Sequence, residues 1–135
     1  MGLEITKRLL ESDQTVAVWN RTESKTKELT EMCAKATKDL KELINISEII
    51  LIIMGDDNTL DNVYNSLEGL KNMNLDRNII IEISTTSIDK IKSLEKVVNL
   101  SYGEFIECPV GGSTQPAREG KLLGLVAGNY DIFKK

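Results

Sequence analysis

Six consecutive apolar residues, Ile49-Ile50-Leu51-Ile52-Ile53-Met54, end abruptly at Gly55-Asp56-Asp57. A run this short and uniformly apolar, closed by turn residues, is the pattern of a strand buried on both faces of a parallel sheet. Parallel neighbours need long crossover connections, usually helices, so helix and strand should alternate around this run. Leu60, Val63, Tyr64 and Leu67 fall at i, i+3, i+4 and i+7 and predict a helix over 59–67. Residues 78–83 (NIIIEI) predict the next strand, and Ser84-Thr85-Thr86-Ser87 leads into a helix with Ile88, Ile91, Leu94 and Val98 inward. Apolar segments at 104–110 and 122–127 follow, separated by a polar, glycine-containing loop, and 131–135 reads as the start of another helix.

Upstream, 3–12 predicts an amphipathic helix with Leu3, Ile5, Leu9 and Leu10 on one face, and 14–19 (QTVAVW) predicts a strand. A helix capped by Thr22 is expected over 23–32, a short edge strand over 33–36, and a helix over 38–45 carrying Leu40, Leu43 and Ile44. The pattern runs without linker, repeat or low-complexity stretch. The predicted fold class is α/β, Rossmann-like and doubly wound, with a mostly parallel sheet.

A helix followed by a strand with polar residues at its carboxyl end is half of a βαβ unit. The other half in dinucleotide-binding folds is a strand and a glycine-rich turn, whose amides and helix N-terminus hold a pyrophosphate. Gly2 reads as the last glycine of such a turn. About 20 residues further on, an acidic side chain ordinarily accepts from the ribose hydroxyls of NAD. Asn20 and Arg21 stand there instead. A carboxylate would repel a 2′-phosphate, whereas a guanidinium pairs with it, so these residues favour NADP over NAD. The competing reading is that Asn20-Arg21-Thr22 ends a strand and caps the next helix.

Composition excludes several classes. The net charge is −4 and the pI about 5.0, which argues against nucleic acid as the main partner. No apolar run approaches a membrane span, and Glu4 interrupts any signal-like start, so the cytosol is the expected compartment. Cys33 and Cys108 lie far apart with no CxxC or CxxH, which predicts neither a zinc site nor a disulfide framework. Histidine is absent. Catalytic pairs built on imidazole, and imidazole metal ligands, are therefore excluded from these residues.

Ligands of open α/β sheets bind beyond the carboxyl ends of the strands. Four such ends can be named: Asn20-Arg21-Thr22, Met54-Gly55-Asp56, Ser84-Thr85-Thr86, and Cys108-Pro109-Val110-Gly111-Gly112-Ser113. Ser84, Thr85 and Ser113 supply hydroxyls there without adding charge. Asp56, Asp57 and Glu107 form a carboxylate set on paper, but Asp-Asp after a strand reads first as a turn or helix cap. Cys108 reads as a small buried side chain, Lys121 as a solvated surface lysine, and Trp19 as core or as a stacking surface for a base.

The series VAVWNRT, IILIIMGDD, IIIEISTTS, FIECPVGGSTQPAREGKL and LVAG, in this order, resembles the β-hydroxyacid dehydrogenases. These comprise 3-hydroxyisobutyrate dehydrogenase, tartronate semialdehyde reductase, the glyoxylate and succinic semialdehyde reductases and, more distantly, 6-phosphogluconate dehydrogenase. The resemblance covers the whole chain and implies an NADP-binding domain over 1–135. It implies cofactor contacts from Gly2, from Asn20, Arg21 and Thr22 at the adenosine phosphate, from Met54, Gly55 and Asp56, and from Ser84 and Thr85 near the nicotinamide. It further implies a substrate site from Ser84, Gly111, Gly112 and Ser113 for a small carboxylated aldehyde or hydroxyacid. Where the family most often has serine this chain has Gly111, leaving Ser113 to offer the hydroxyl.

The resemblance places the first strand and glycines before residue 1, and a catalytic lysine in a helical domain after residue 135. The expected sheet therefore lacks its central first strand, and Met1 falls where the family motif itself carries methionine, as an internal codon read as a start would. No catalytic residue and no metal site is expected within 1–135. In the doubly wound order, the strands at 14–19 and 49–54 would each be left with an unpaired edge. That expectation raises an alternative function, a non-catalytic nucleotide-binding or interaction fragment that joins a complementing chain or a homo-oligomer.

Overall fold

The computed structural model describes all residues from Met1 to Lys135. They form two compact units, one of Met1–Ile46 with Gly111–Leu123, the other of Ser47–Val110 with Gly124–Lys135.

The first unit opens with α1 (Gly2–Glu11), then β1 (Ala17–Val18). A 3-10 turn at Glu23–Thr26 runs into α2 (Lys27–Glu31), followed by β2 (Lys35–Ala36) and α3 (Leu40–Ile46). β1 and β2 pair in parallel, Ala17 opposite Lys35 and Val18 opposite Ala36, with α2 as the crossover. Val18, Leu29 and Ala34 make a small core against which Leu10 and Val16 pack. The strand predicted over 14–19 is shortened to two residues, because its one neighbour offers a ladder only that long. The helix predicted from Glu23 begins as a 3-10 turn, and the Thr22 side chain makes no capping bond. Nor is α1 anchored by a purely apolar face. Its buried residue is Glu4, while Leu3 is exposed.

In the second unit β3 (Ile49–Ile52), α4 (Asp57–Asn65), β4 (Ile79–Glu82), α5 (Ile88–Leu100) and β5 (Glu104–Glu107) alternate as expected. The three strands are parallel, with Ile50, Ile80 and Phe105 in one row, Leu51, Ile81 and Ile106 in the next, and Ile52, Glu82 and Glu107 in the row after that. Leu60, Val63 and Tyr64 of α4 and Ile91, Leu94 and Val98 of α5 are buried. Each fully buried Leu or Val is worth roughly 1.5–3 kcal/mol. Leu67 lies beyond the end of α4 and Ile88 occupies the first position of α5, and both are exposed, contrary to the pattern.

β3 departs most from expectation. Ile50 and Ile52 are buried, but Ile49 is 52% and Leu51 37% exposed, so the strand is covered on one face only. β4 is its single ladder neighbour, as β2 is the single neighbour of β1. Both strands keep one open edge.

The chain continues through β6 (Val110–Gly111), α6 (Thr114–Glu119) and β7 (Leu123–Gly124), with β6 pairing β7. β8 (Ala127–Gly128) then pairs antiparallel with β5, and α7 (Tyr130–Phe133) follows. The apolar segment predicted over 122–127 is thus divided between two ladders. No helix is long and apolar enough to cross a membrane.

Candidate functional site

Within the first unit, the residues after β1 are exposed and ordered by their own polar groups. Asn20 Oδ1 accepts from the Thr22 amide at 2.9 Å, an Asx turn that fixes the backbone around Arg21. Arg21 enters none of the chain's ion pairs. Its guanidinium is available to an anion from outside. Gly2 is the first residue of α1, and the helix start has no side-chain cap, so its first-turn amides are unspent on side chains.

The loop before α6 belongs to the same unit. Gly112 has φ +134°, a backbone that L residues rarely adopt, and a Cβ there would lie 2.9 Å from Leu122 Cδ2. Ser113 precedes α6 without spending its side chain on a cap. α6 is held against α1 by Arg118, whose Nε donates to Glu4 Oε2 at 2.8 Å. That bond, with the Arg118 and Lys7 charges, holds the Glu4 carboxyl below its ordinary value despite burial.

In the second unit, the carboxyl ends of β3 and β4 are bonded together. The Met54 amide donates to Ser84 Oγ at 2.7 Å, and the Ser84 amide donates to Glu82 Oε1 at 2.9 Å. Tyr64 Oη donates to the other oxygen, Glu82 Oε2, at 2.7 Å. Glu82 has no exposed surface. Burial raises its pKa, opposed by hydrogen bonds from the Ser84 and Tyr64 side chains and from the Ser84 and Ile83 amides. Tyr64 is raised too, by burial first and then by the adjacent carboxylate.

Above this network lies Gly55, which is exposed and where a Cβ would meet nothing within 4 Å. That open backbone is the kind of surface a ligand can approach closely. Asp56 caps α4, Oδ1 accepting from the Thr59 amide and Oδ2 from the Thr59 hydroxyl, each at 2.8 Å. Asp57 Oδ1 accepts from Thr86 Oγ1 at 2.7 Å, a second tie between the two strand-end loops. The Asp pair thus does the work of caps and turns. Thr85 is exposed beside them.

The structure therefore gathers Met54, Gly55, Asp56, Ser84 and Thr85 in one unit, and Gly2, Asn20, Arg21, Thr22, Gly112 and Ser113 in the other. Glu107 is half-buried in the row beside Glu82. Burial raises the Cys108 thiol, against a role as nucleophile. Lys121 is paired with Glu119 at 2.9 Å on the surface. Sequence reasoning missed Glu82, Tyr64 and the Glu4–Arg118 pair. A lone acid within the apolar 78–83 run was the available signal for the first.

The whole chain, residues 1–135, matches the family described as the NAD binding domain of 6-phosphogluconate dehydrogenase. Among curated proteins, glyoxylate/succinic semialdehyde reductase 1 of Arabidopsis thaliana is 29% identical over 135 residues, covering 100% of this chain and 47% of the reductase. The cytokine-like nuclear factor N-PAC of Homo sapiens is 26% identical over 99% of this chain and 24% of its own length. The chain thus spans about half or less of the length of these relatives. Among solved structures, Psf3 in complex with NADP+ and 2-OPP superimposes with a TM-score of 0.93 at 25% identity, over 99% of this chain and 48% of that one. An imine reductase from Pseudomonas sp. gives 0.90 at 25% identity, over 99% and 46%. The chain belongs to the family of the NAD-binding domain of 6-phosphogluconate dehydrogenase.

Proposed function

We propose that this chain binds NADP(H) in preference to NAD(H), as the dinucleotide-binding part of an oxidoreductase acting on a small carboxylated aldehyde or hydroxyacid. The observation that carries the reading is Arg21. It stands exposed, without an ionic partner, after β1, where an NAD-selective domain has a carboxylate. Asn20 and Thr22 fix its backbone, Gly2 and the start of α1 offer amides to the pyrophosphate, and Met54, Gly55 and Asp56 form the turn that meets the cofactor, with open backbone at Gly55. Ser84 and Thr85 serve the nicotinamide end, and Gly111, Gly112 and Ser113 receive the substrate carboxylate, with Ser84 as a further substrate contact. The relative that is named a semialdehyde reductase supports this substrate class.

When bound, the nicotinamide supplies or accepts hydride. The chain's own part is to bind and orient. Lys121 is held by Glu119 and the Cys108 thiol is raised by burial, so neither is placed as the proton donor. That donor is assigned to a lysine outside residues 1–135. The cytosol is the compartment proposed.

Fluorescence titration of the chain with NADPH and NADH tests the reading. Tighter binding of NADPH is expected, and equal affinities would remove the Arg21 assignment.

A second reading has its own observation. β3 leaves an edge unpaired and exposes Ile49 and Leu51, as an interaction module joining a complementing chain or a second copy would. A monomeric chain by sedimentation, with NADPH binding intact, would favour the first reading.

A further inference from the structure

Glu82 and Tyr64 are both fully buried in the second unit, and nothing in the proposed binding role uses the Glu82 carboxylate directly. Each of its oxygens is nevertheless committed. Oε2 receives the Tyr64 hydroxyl from α4 at 2.7 Å, and Oε1 receives the Ser84 amide at 2.9 Å. The Ser84 hydroxyl in turn receives the Met54 amide at 2.7 Å. One carboxylate thus links α4, the end of β4 and the end of β3.

The position of Glu82 explains why a buried acid is retained there. It sits in register with Ile52 of β3 and Glu107 of β5, in the last row of the ladder before the strands open into loops. The last strand-to-strand bonds run from the Ile83 amide to Ile52 O at 2.9 Å and from the Cys108 amide to Glu82 O at 2.8 Å, and past them Met54 and Ser84 are tied by the Ser84 hydroxyl and the Glu82 carboxylate. An ionised carboxylate is an acceptor on both oxygens and suits the donors that converge on it. An apolar residue of similar size would fill the space but leave the Tyr64 hydroxyl and the Ser84 amide unpaired.

We propose that Glu82 is a positioning residue for dinucleotide binding: by holding Ser84, and through Ser84 the Met54 amide, it sets the spacing of the β3 and β4 ends that receive the cofactor. This deepens the dinucleotide reading above and rests on it. Glu82 does not itself touch the ligand. Its effect is confined to the part of the cofactor met by Met54, Gly55, Ser84 and Thr85, and does not extend to the part met by Arg21.

That confinement gives the test a readout that loss of fold would not imitate. Affinities of the full chain for NADPH and for adenosine 2′,5′-bisphosphate, which carries only the end addressed by Arg21, are measured for the unsubstituted chain, Glu82→Leu and Glu82→Gln. Glu82→Leu is expected to weaken NADPH by about tenfold, the value of one lost buried hydrogen bond, and to leave the bisphosphate unchanged. Glu82→Gln keeps an acceptor for the Ser84 amide and turns its NH2 toward Tyr64 Oη, which can accept, so it should restore most of the NADPH affinity. Should Glu82→Leu not fold, Glu82→Asp, which keeps the charge but draws the carboxylate back from the Ser84 amide and touches no ligand, makes the same comparison. Equal weakening of both ligands, or of neither, would overturn the proposal alone. If the unsubstituted chain binds neither ligand, the dinucleotide reading fails and the proposal falls with it.

Discussion

Arg118 joins α6 to α1 by donating its Nε–H to Glu4 Oε2 at 2.8 Å, and the carboxylate that receives it is buried. The bond holds the Glu4 carboxyl below its ordinary value of 4.5. A depressed folded value means that the stabilisation is complete above 4.5 and is lost as pH falls through the folded value. Glu4→Gln is therefore expected to lower stability at neutral pH and to flatten the acid limb below 4.5. Urea midpoints of the two chains between pH 3 and 7 check this, and parallel curves would refute it.

The second buried acid should behave with the opposite sign. Burial raises Glu82, so the folded chain holds its proton more tightly than the unfolded one. Its contribution is complete below 4.5 and is lost as pH rises through the folded value. Glu82→Gln should remove that decline, seen as a flatter stability profile on the rising side. An unchanged profile would show that Glu82 does not titrate in this way.

Tyr64→Phe deletes one donor and leaves Glu82 Oε2 without its partner in a site closed to water. The expected cost is about 1–3 kcal/mol, the penalty of an unsatisfied buried polar group. Equilibrium urea unfolding measures it. A change within a few tenths of that unit would mean the hydroxyl is dispensable.

Arg21→Ala should abolish the preference for NADPH and leave NADH binding nearly unchanged. A charged hydrogen bond of this kind is worth about 1.5–3 kcal/mol, or roughly ten- to a hundredfold in affinity. Titration of both cofactors gives the ratio directly.

Gly112→Ala forces a side chain onto a backbone with φ +134° and against Leu122 Cδ2. The conformational cost is about 1–3 kcal/mol. A lowered melting temperature is expected, and an unaltered one would show that the loop can relax to an ordinary conformation.

Much of the architecture was legible in the sequence, because strand and helix periods differ and each element carried its own. The parallel order of β3, β4 and β5 followed from apolar runs separated by amphipathic helices. What failed was local context. Ile88 and Leu67 fit a helical stripe but lie at or past the ends of their helices, where no neighbour covers them. Ile49 and Leu51 fit a doubly buried strand, yet β3 has one ladder neighbour and one covered face. Of the candidate site, the strand ends and the glycine loop could be named from residues alone. The bonds that arrange them could not.

By itself the sequence determined the fold class, the family, and the chemistry available at the strand ends: a guanidinium after β1, open glycine backbone after β3, hydroxyls after β4. These depend on residue type and spacing along the chain. Tertiary structure alone decided that Glu82 accepts from Tyr64 and Ser84, that Ser84 spends its hydroxyl on Met54, and that Glu4 meets Arg118 across 114 residues. Such pairings are set by which elements pack together, and a buried polar group takes its role from the partner that burial brings within hydrogen-bond distance.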